Sequence, residues 1–183
     1  MSGDEGLPPK QLAMVAGRRR AEERLVDVEL PSGYVLRTYR PGDEEGWAEV
    51  LRLAGFGEWT AEKCRDYVVE PTRLAGSHLV AYGEQVVAVT FATPQKEDPE
   101  VGHLDYVATR PEHRGMHLGR AVCTGVMRFF FERGRKRMEL LTDDWRLPAV
   151  KLYLNLGFEP VLGRGDMVGR WEVVFGELGW DEG

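Results

Sequence analysis

Apolar positions alternate, or nearly so, over residues 24–30 and 34–40 around Pro31-Ser-Gly33, the pattern of a β-hairpin closed by a glycine turn. Pro41-Gly-Asp43 then supplies a strand stop and a helix cap. Trp47, Val50, Leu51 and Ala54 recur at helical spacing and predict a helix that ends at Gly55. Thr60 caps a second predicted helix, whose inward face is Cys64, Tyr67 and Val68 and whose stop is Pro71. Residues 78–82 and 85–93, joined by Gly83-Glu84, read as a second hairpin.

Past a charged loop at residues 94–100, residues 101–109 read as a further strand. Strict alternation puts Leu104, Tyr106 and Ala108 on one face of it and His103, Asp105, Val107 and Thr109 on the other. Leu118, Val122, Gly125, Val126, Phe129 and Phe130 then mark a long helix with a broad apolar face, closed by Gly134. A short strand at 138–141, a helix at 148–156 ended by Gly157, and a last strand at about 168–175 complete the order. Residues 1–23 read as a polar extension with a short helix, 24–176 as one domain and 177–183 as a tail. The fold class expected is α/β (α+β), a single sheet with helices on both faces.

Composition narrows the function classes. A chain of 183 residues, 43% hydrophobic and 30% charged, fits one globular domain of ordinary size. Its apolar runs are too short to span a bilayer, and the acidic, polar start is unlike a secretory signal, so a cytoplasmic location and no membrane partner are expected. The two cysteines, Cys64 and Cys123, suit a reducing compartment. A net charge of -6 argues against nucleic acid as a partner and favours a cationic acceptor such as an amine. The basic runs at 18–20 and 133–137 fall at helix ends facing water.

The segment from Arg110 to Arg120 joins a strand to a helix through a basic loop that carries Gly115 and Gly119. A helix N-terminus presents unpaired N–H groups and about half a positive charge, so it is built to take a pyrophosphate. Glycine lets the anion approach the backbone closely, and Arg114 and Arg120 add charge-assisted bonds. A polar loop of this kind is also an ordinary strand-to-helix connection, so what surrounds it decides the reading. His113 and His117 lack further ligands, so no metal site is expected. No serine stands in a Gly-x-Ser-x-Gly frame and no Gly-x-Gly-x-x-Gly loop is present, which disfavours serine hydrolysis and nicotinamide binding.

Two ordered motifs resemble the GCN5-related N-acetyltransferases, the GNAT family, over roughly residues 34–175. The first is Arg114-Gly-Met-His-Leu-Gly119, and the second is Ala149-Val-Lys-Leu-Tyr153 followed by Gly157-Phe158. The opening at residues 33–43 is similar to members related to mycothiol synthase. The resemblance implies a single GNAT-type domain with a mixed, mostly antiparallel sheet whose strands splay at the coenzyme A site. Two departures stand out: His117 replaces the usual first glycine of the loop, and Arg146 stands where many members have an Asn.

The implied activity is direct transfer of an acetyl group from acetyl-CoA to a primary amine, without metal, by a monomer or homodimer. The coenzyme-binding residues so implied are Val107, Ala108, Thr109, Arg114, Gly115, Met116, His117, Leu118, Gly119, Arg120, Arg146 and Ala149. Within them, the resemblance gives the backbone N–H of Val107 the thioester oxyanion. Tyr153 matches the family's proton donor to sulfur; its spacing with Val150 and Leu154 also fits core packing. Asp105 and His103 are the candidate bases, with burial expected to raise the carboxyl toward working pH; a purely structural ion pair is the other reading. A non-catalytic acyl-CoA sensor or scaffold on the same fold is the alternative function, and a longer acyl donor or a protein amine acceptor the alternative reaction. The acceptor is expected to be chosen by the first two helices, the 94–100 loop and the last hairpin.

Overall fold

The computed structural model describes residues 11–180. Its elements run β1 (Leu12–Gly17), α1 (Arg18–Glu22), β2 (Tyr34–Thr38), α2 (Glu44–Leu53), α3 (Ala61–Val68), α4 (Pro71–Gly76), β3 (His78–Tyr82), β4 (Gln85–Pro94), β5 (Val101–Thr109), α5 (Leu118–Glu132), β6 (Arg137–Thr142), α6 (Leu147–Asn155), β7 (Glu159–Pro160) and α7 (Met167–Leu178). The strands make one sheet in the order β2-β3-β4-β5-β6-β1-β7, antiparallel throughout except for β5 beside β6. The mixed, mostly antiparallel sheet is therefore as expected.

Helices cover both faces because the strands bury both. On one face, α2 and α3 place Trp47, Leu51, Cys64 and Val68 against Val89, Phe91 and Ala108. On the other, α5 sets Met127 and Phe130 against Leu104, Met138 and Leu140, with α6 and α7 closing the same core. Gly102 permits this packing, since a Cβ there would lie 2.5 Å from the Phe130 ring. Thr60 caps α3 as its sequence predicts, accepting a bond from the Lys63 N–H at 3.1 Å.

Three expected elements are corrected. Residues 24–30 form no strand; β2 pairs with β3 instead of closing a hairpin. That segment lies along α5, where Arg120 donates to the Arg24 carbonyl at 2.8 Å and Arg128 to Asp27 at 2.7 Å. The stretch read as a polar extension contains β1, which is flanked by β6 and β7, with Leu12, Met14 and Ala16 wholly buried; the short helix expected there is α1. The last strand expected at 168–175 is α7. Its buried residues Met167, Trp171 and Val174 follow helical spacing, while Val168 and Val173 lie exposed. The last hairpin, expected to help choose the acceptor, is thus not formed by these residues. Pro71 ends α3 and also opens α4, standing in its first turn with Glu70 as cap.

Candidate active site

The site forms where β5 and β6 part. Their parallel pairing runs from Val101–Arg137 to Leu104–Leu140 and goes no further, so the second half of β5 loses its neighbour on that side. At the same point β5 carries an extra residue relative to β4: Phe91 faces Asp105, whereas Val89 faces Ala108. Tyr106 absorbs the extra length by taking a left-handed backbone, φ 55. This bulge overturns the strict alternation expected along the strand. Leu104 and Val107 pack toward α5 and α6, while Ala108 joins the core under α2, so Leu104 and Ala108 do not share a face.

From Thr109 the chain enters the basic loop. Arg110 is buried, and its guanidinium donates to the Val86 carbonyl at 2.9 Å and to Glu49, anchoring the loop to β4 and α2. Gly115 takes φ 79 and His117 φ 58, the left-handed region that favours glycine, which accounts for the glycine usual at the position of His117. Among the described residues, the amides of Gly115, Met116, His117, Leu118, Gly119 and Arg120 donate to no protein acceptor, and the first to do so is Ala121, to the His117 carbonyl at 3.1 Å. Six unpaired backbone donors at the positive end of a fifteen-residue helix give an arrangement able to take an anion.

The side chains around it differ in their freedom. Arg114 and His117 are exposed, Met116 and Gly119 half-buried and Leu118 buried. Arg120 is held by the Arg24 carbonyl. A Cβ on Gly119 would stand 3.3 Å from Leu152 and 3.8 Å from the Thr109 hydroxyl, so the mouth of the loop is narrow there. Ala149 packs on the core beneath α6. Arg146 is engaged away from the loop. It donates to Asp143 and to the Ala54 carbonyl, each at 3.3 Å, and lies over the Phe56 ring at 4.2 Å and the Trp145 ring at 4.4 Å.

Tyr153, 5% exposed, projects from α6 beside Phe158. Burial drives its phenol well above the ordinary range, the Cys123 thiol adds to the rise and Arg146 opposes it. It therefore stays protonated at neutral pH.

Asp105 and His103 lie together, with His103 Nε2 3.1 Å from the Asp105 carboxylate and the Tyr67 hydroxyl donating to its other oxygen at 2.9 Å. The Gln95 amide nitrogen is 3.3 Å from His103 Nδ1 and the Asp105 carboxylate faces Nε2, so a donor at one ring nitrogen and an acceptor at the other place the proton on Nε2. The expectation that burial lifts Asp105 toward working pH is overturned. Burial does push its carboxyl up, but bonds from His103, Thr93 and Tyr67 outweigh it and hold the group below the ordinary carboxylate range. The same anion helps to push the buried Tyr67 phenol up to about 12.

Reasoning from sequence missed the rings above Asp105. Phe56, Trp59, Tyr67 and Phe91 all meet Tyr106 edge to face, at centroid distances of 5.1 to 6.2 Å. The signal available was Phe56 between Gly55 and Gly57 with Trp59 two residues on, two large rings in a short connection between helices.

Most of the chain is similar in fold to several solved acetyltransferase structures. A GCN5-related N-acetyltransferase from Sphaerobacter thermophilus superposes with a TM-score of 0.64 at 22% identity, over 85% of this chain and 50% of that one. The diaminobutyrate acetyltransferase EctA from Paenibacillus lautus, solved with L-2,4-diaminobutyric acid and coenzyme A, gives 0.60 at 18% identity over 69% and 74%. In sequence, the mycothiol acetyltransferase of Thermobispora bispora is 33% identical over 77% of this chain and 52% of its own length, and that of Thermomonospora curvata 28% over 86% and 55%. The chain thus spans about half the length of these curated relatives. Residues 37–158, which contain the bulged strand, the open amides and Tyr153, match the model of the acetyltransferase (GNAT) family, and the chain belongs to that family.

Proposed function

We propose that this chain transfers an acetyl group from acetyl-CoA to a primary amine by direct attack. The observation that carries the reading is the conjunction of six unpaired amides at the start of α5 with the gap that opens between β5 and β6 beyond Leu104 and Leu140. The amides from Gly115 to Arg120, with Arg114 beside them, would hold the pyrophosphate. Thr109 and Val107 offer strand backbone to the pantetheine arm, and the Val107 N–H would stabilise the oxyanion. That Arg146 and Arg120 are engaged elsewhere supports giving the backbone, not these side chains, most of the anion's binding.

The amine lone pair attacks the thioester carbon, the C–N bond forms and the C–S bond breaks, and the amine's extra proton is lost to solvent. Tyr153 donates a hydrogen bond to the departing sulfur, a role its raised pKa favours over complete proton transfer. Direct transfer is supported by both thiols. Burial first, then nearby charge, pushes Cys64 up to about 12, and burial pushes Cys123 up to about 12, so neither offers a thiolate to carry the acetyl group. Buried free thiols also suit a cytoplasmic setting. The place of β1 in the sheet supports taking the acyltransferase unit back to Leu12.

The test is release of free coenzyme A thiol from acetyl-CoA in the presence of a panel of primary amines. Amine-dependent release is expected. Tight acetyl-CoA binding with no release for any amine would identify a sensor instead.

A further inference from the structure

Tyr106 carries a left-handed backbone, φ 55, on a bulky aromatic in a central strand, a conformation that costs energy and marks a position held for a purpose. Its ring meets Trp59 at 5.1 Å, Phe56 at 5.3 Å and Tyr67 at 6.0 Å. Each of those three rings already has one of the protein's own cations over it: Lys63 on Trp59 at 4.5 Å, Arg73 on Tyr67 at 3.9 Å and Arg146 on Phe56 at 4.2 Å. Among the described residues none lies over Tyr106, which keeps 36% of its surface exposed. Asp105 is its chain neighbour. The Tyr67 hydroxyl and His103 Nε2 each engage a different oxygen of that carboxylate, its further lone pairs are open to another donor, and its side chain remains 23% exposed. Arg146 lies between Phe56 and Trp145, and Trp145 is 70% exposed. Trp145, Arg146, Phe56 and Tyr106 therefore form a row that starts at solvent, and Tyr67, which meets the Tyr106 ring and donates to Asp105, joins it to the carboxylate.

We infer that this row is the acceptor site: Asp105 takes the N–H groups of the acceptor amine, the open face of Tyr106 packs on the carbon that bears it, and the remaining rings receive an apolar skeleton. The acceptor class is a primary amine on an apolar, aromatic-sized skeleton. This rests on the acetyl-transfer reading above. Asp105 is then an anchor and not the base, since a carboxylate held anionic accepts N–H bonds from the amine in both its protonated and its neutral form. Tyr106 adds cation–π attraction while the amine is charged.

The test is steady-state thiol release at saturating acetyl-CoA, with phenethylamine and ethanolamine as acceptors. Burying the ring should put the KM for phenethylamine about tenfold or more below that for ethanolamine. Asp105→Asn keeps the shape and the Tyr67 bond but loses the charge, and should raise the KM for phenethylamine about tenfold with a smaller change in kcat. Tyr106→Phe should keep the KM and Tyr106→Leu raise it about threefold or more. The KM for acetyl-CoA of each variant, and the melting temperatures of the two Tyr106 variants, should stay near those of the parent. Equal KM values for the two amines, or an Asp105→Asn value within about twofold of the parent, overturn the assignment.

Should neither amine release thiol, calorimetric titration of phenethylamine into the protein with coenzyme A gives the answer. Binding weakened by Asp105→Asn and Tyr106→Leu but not by Tyr106→Phe sustains the site; absent or indifferent binding removes it. If acetyl-CoA fails to bind, the acetyl-transfer reading falls, and the same titration without coenzyme A still decides whether the amine site exists.

Discussion

Asp105 stays ionised to a lower pH than an isolated aspartate because the bonds from His103, Thr93 and Tyr67 together exceed the cost of its burial. Its folded pKa lies below its unfolded one, so the stability it contributes is full above about pH 4, the unfolded value, and is lost as pH falls through the folded value. Urea melts of the parent and of Asp105→Asn should therefore differ most above that pH and converge in acid. For catalysis the consequence is that kcat/KM should climb with pH toward the pKa of the acceptor amine, in the parent and in Asp105→Asn alike. An acid limb near neutrality that Asp105→Asn abolishes would restore the carboxylate as base. Tyr153 belongs to the same scale. Removing its hydroxyl in Tyr153→Phe should lower kcat about 100-fold while calorimetry finds coenzyme A affinity little changed, because the bond to sulfur gains its strength only as the C–S bond breaks. Equal losses in both would return Tyr153 to core packing.

Among elements, the loop into α5 and the crossing of α5 over the sheet use glycine in opposite ways. At Gly119 a Cβ would meet the flexible end of Leu152 at 3.3 Å, so a side chain there is accommodated by a small shift. Gly119→Glu should fold, with a melting temperature near that of the parent, yet abolish acetyl-CoA binding by calorimetry, since it sets bulk and negative charge among the open amides. At Gly102 the Cβ would stand 2.5 Å from Phe130 and 2.8 Å from the Met138 sulfur, in a packed core. Gly102→Ala should cost about 1–3 kcal/mol in urea unfolding. The loop was legible in the sequence because its chemistry is local: glycines, arginines and a helix start within eleven residues. The arrangement of β5 was not. One extra residue opposite Val89 and Phe91 reverses every side chain beyond it, and nothing in residues 101–109 marks the register of their partner strand.

For the whole molecule, β1 is the element whose role changes most between sequence and structure. Leu12, Met14 and Ala16 look like a short apolar run before three arginines, yet they are wholly buried with β6 on one side and β7 on the other. Met14→Ala should destabilise by about 2–5 kcal/mol in urea unfolding, and removal of residues 1–17 should abolish the cooperative melt; a truncated chain that melts like the parent would return the segment to an extension. By itself the sequence determined the helices α2, α3, α5 and α6, the strands β3 to β6 and the anion loop, because capping residues, spacing and glycine positions act over a few neighbours. Only the tertiary structure decided that 24–30 lies along α5, that 167–178 is a helix, that Arg146 turns to Phe56 and Trp145, and that Asp105 is held ionised beneath a ring of aromatics. Those outcomes depend on pairing and desolvation between residues far apart in the chain, whose energies no local pattern contains.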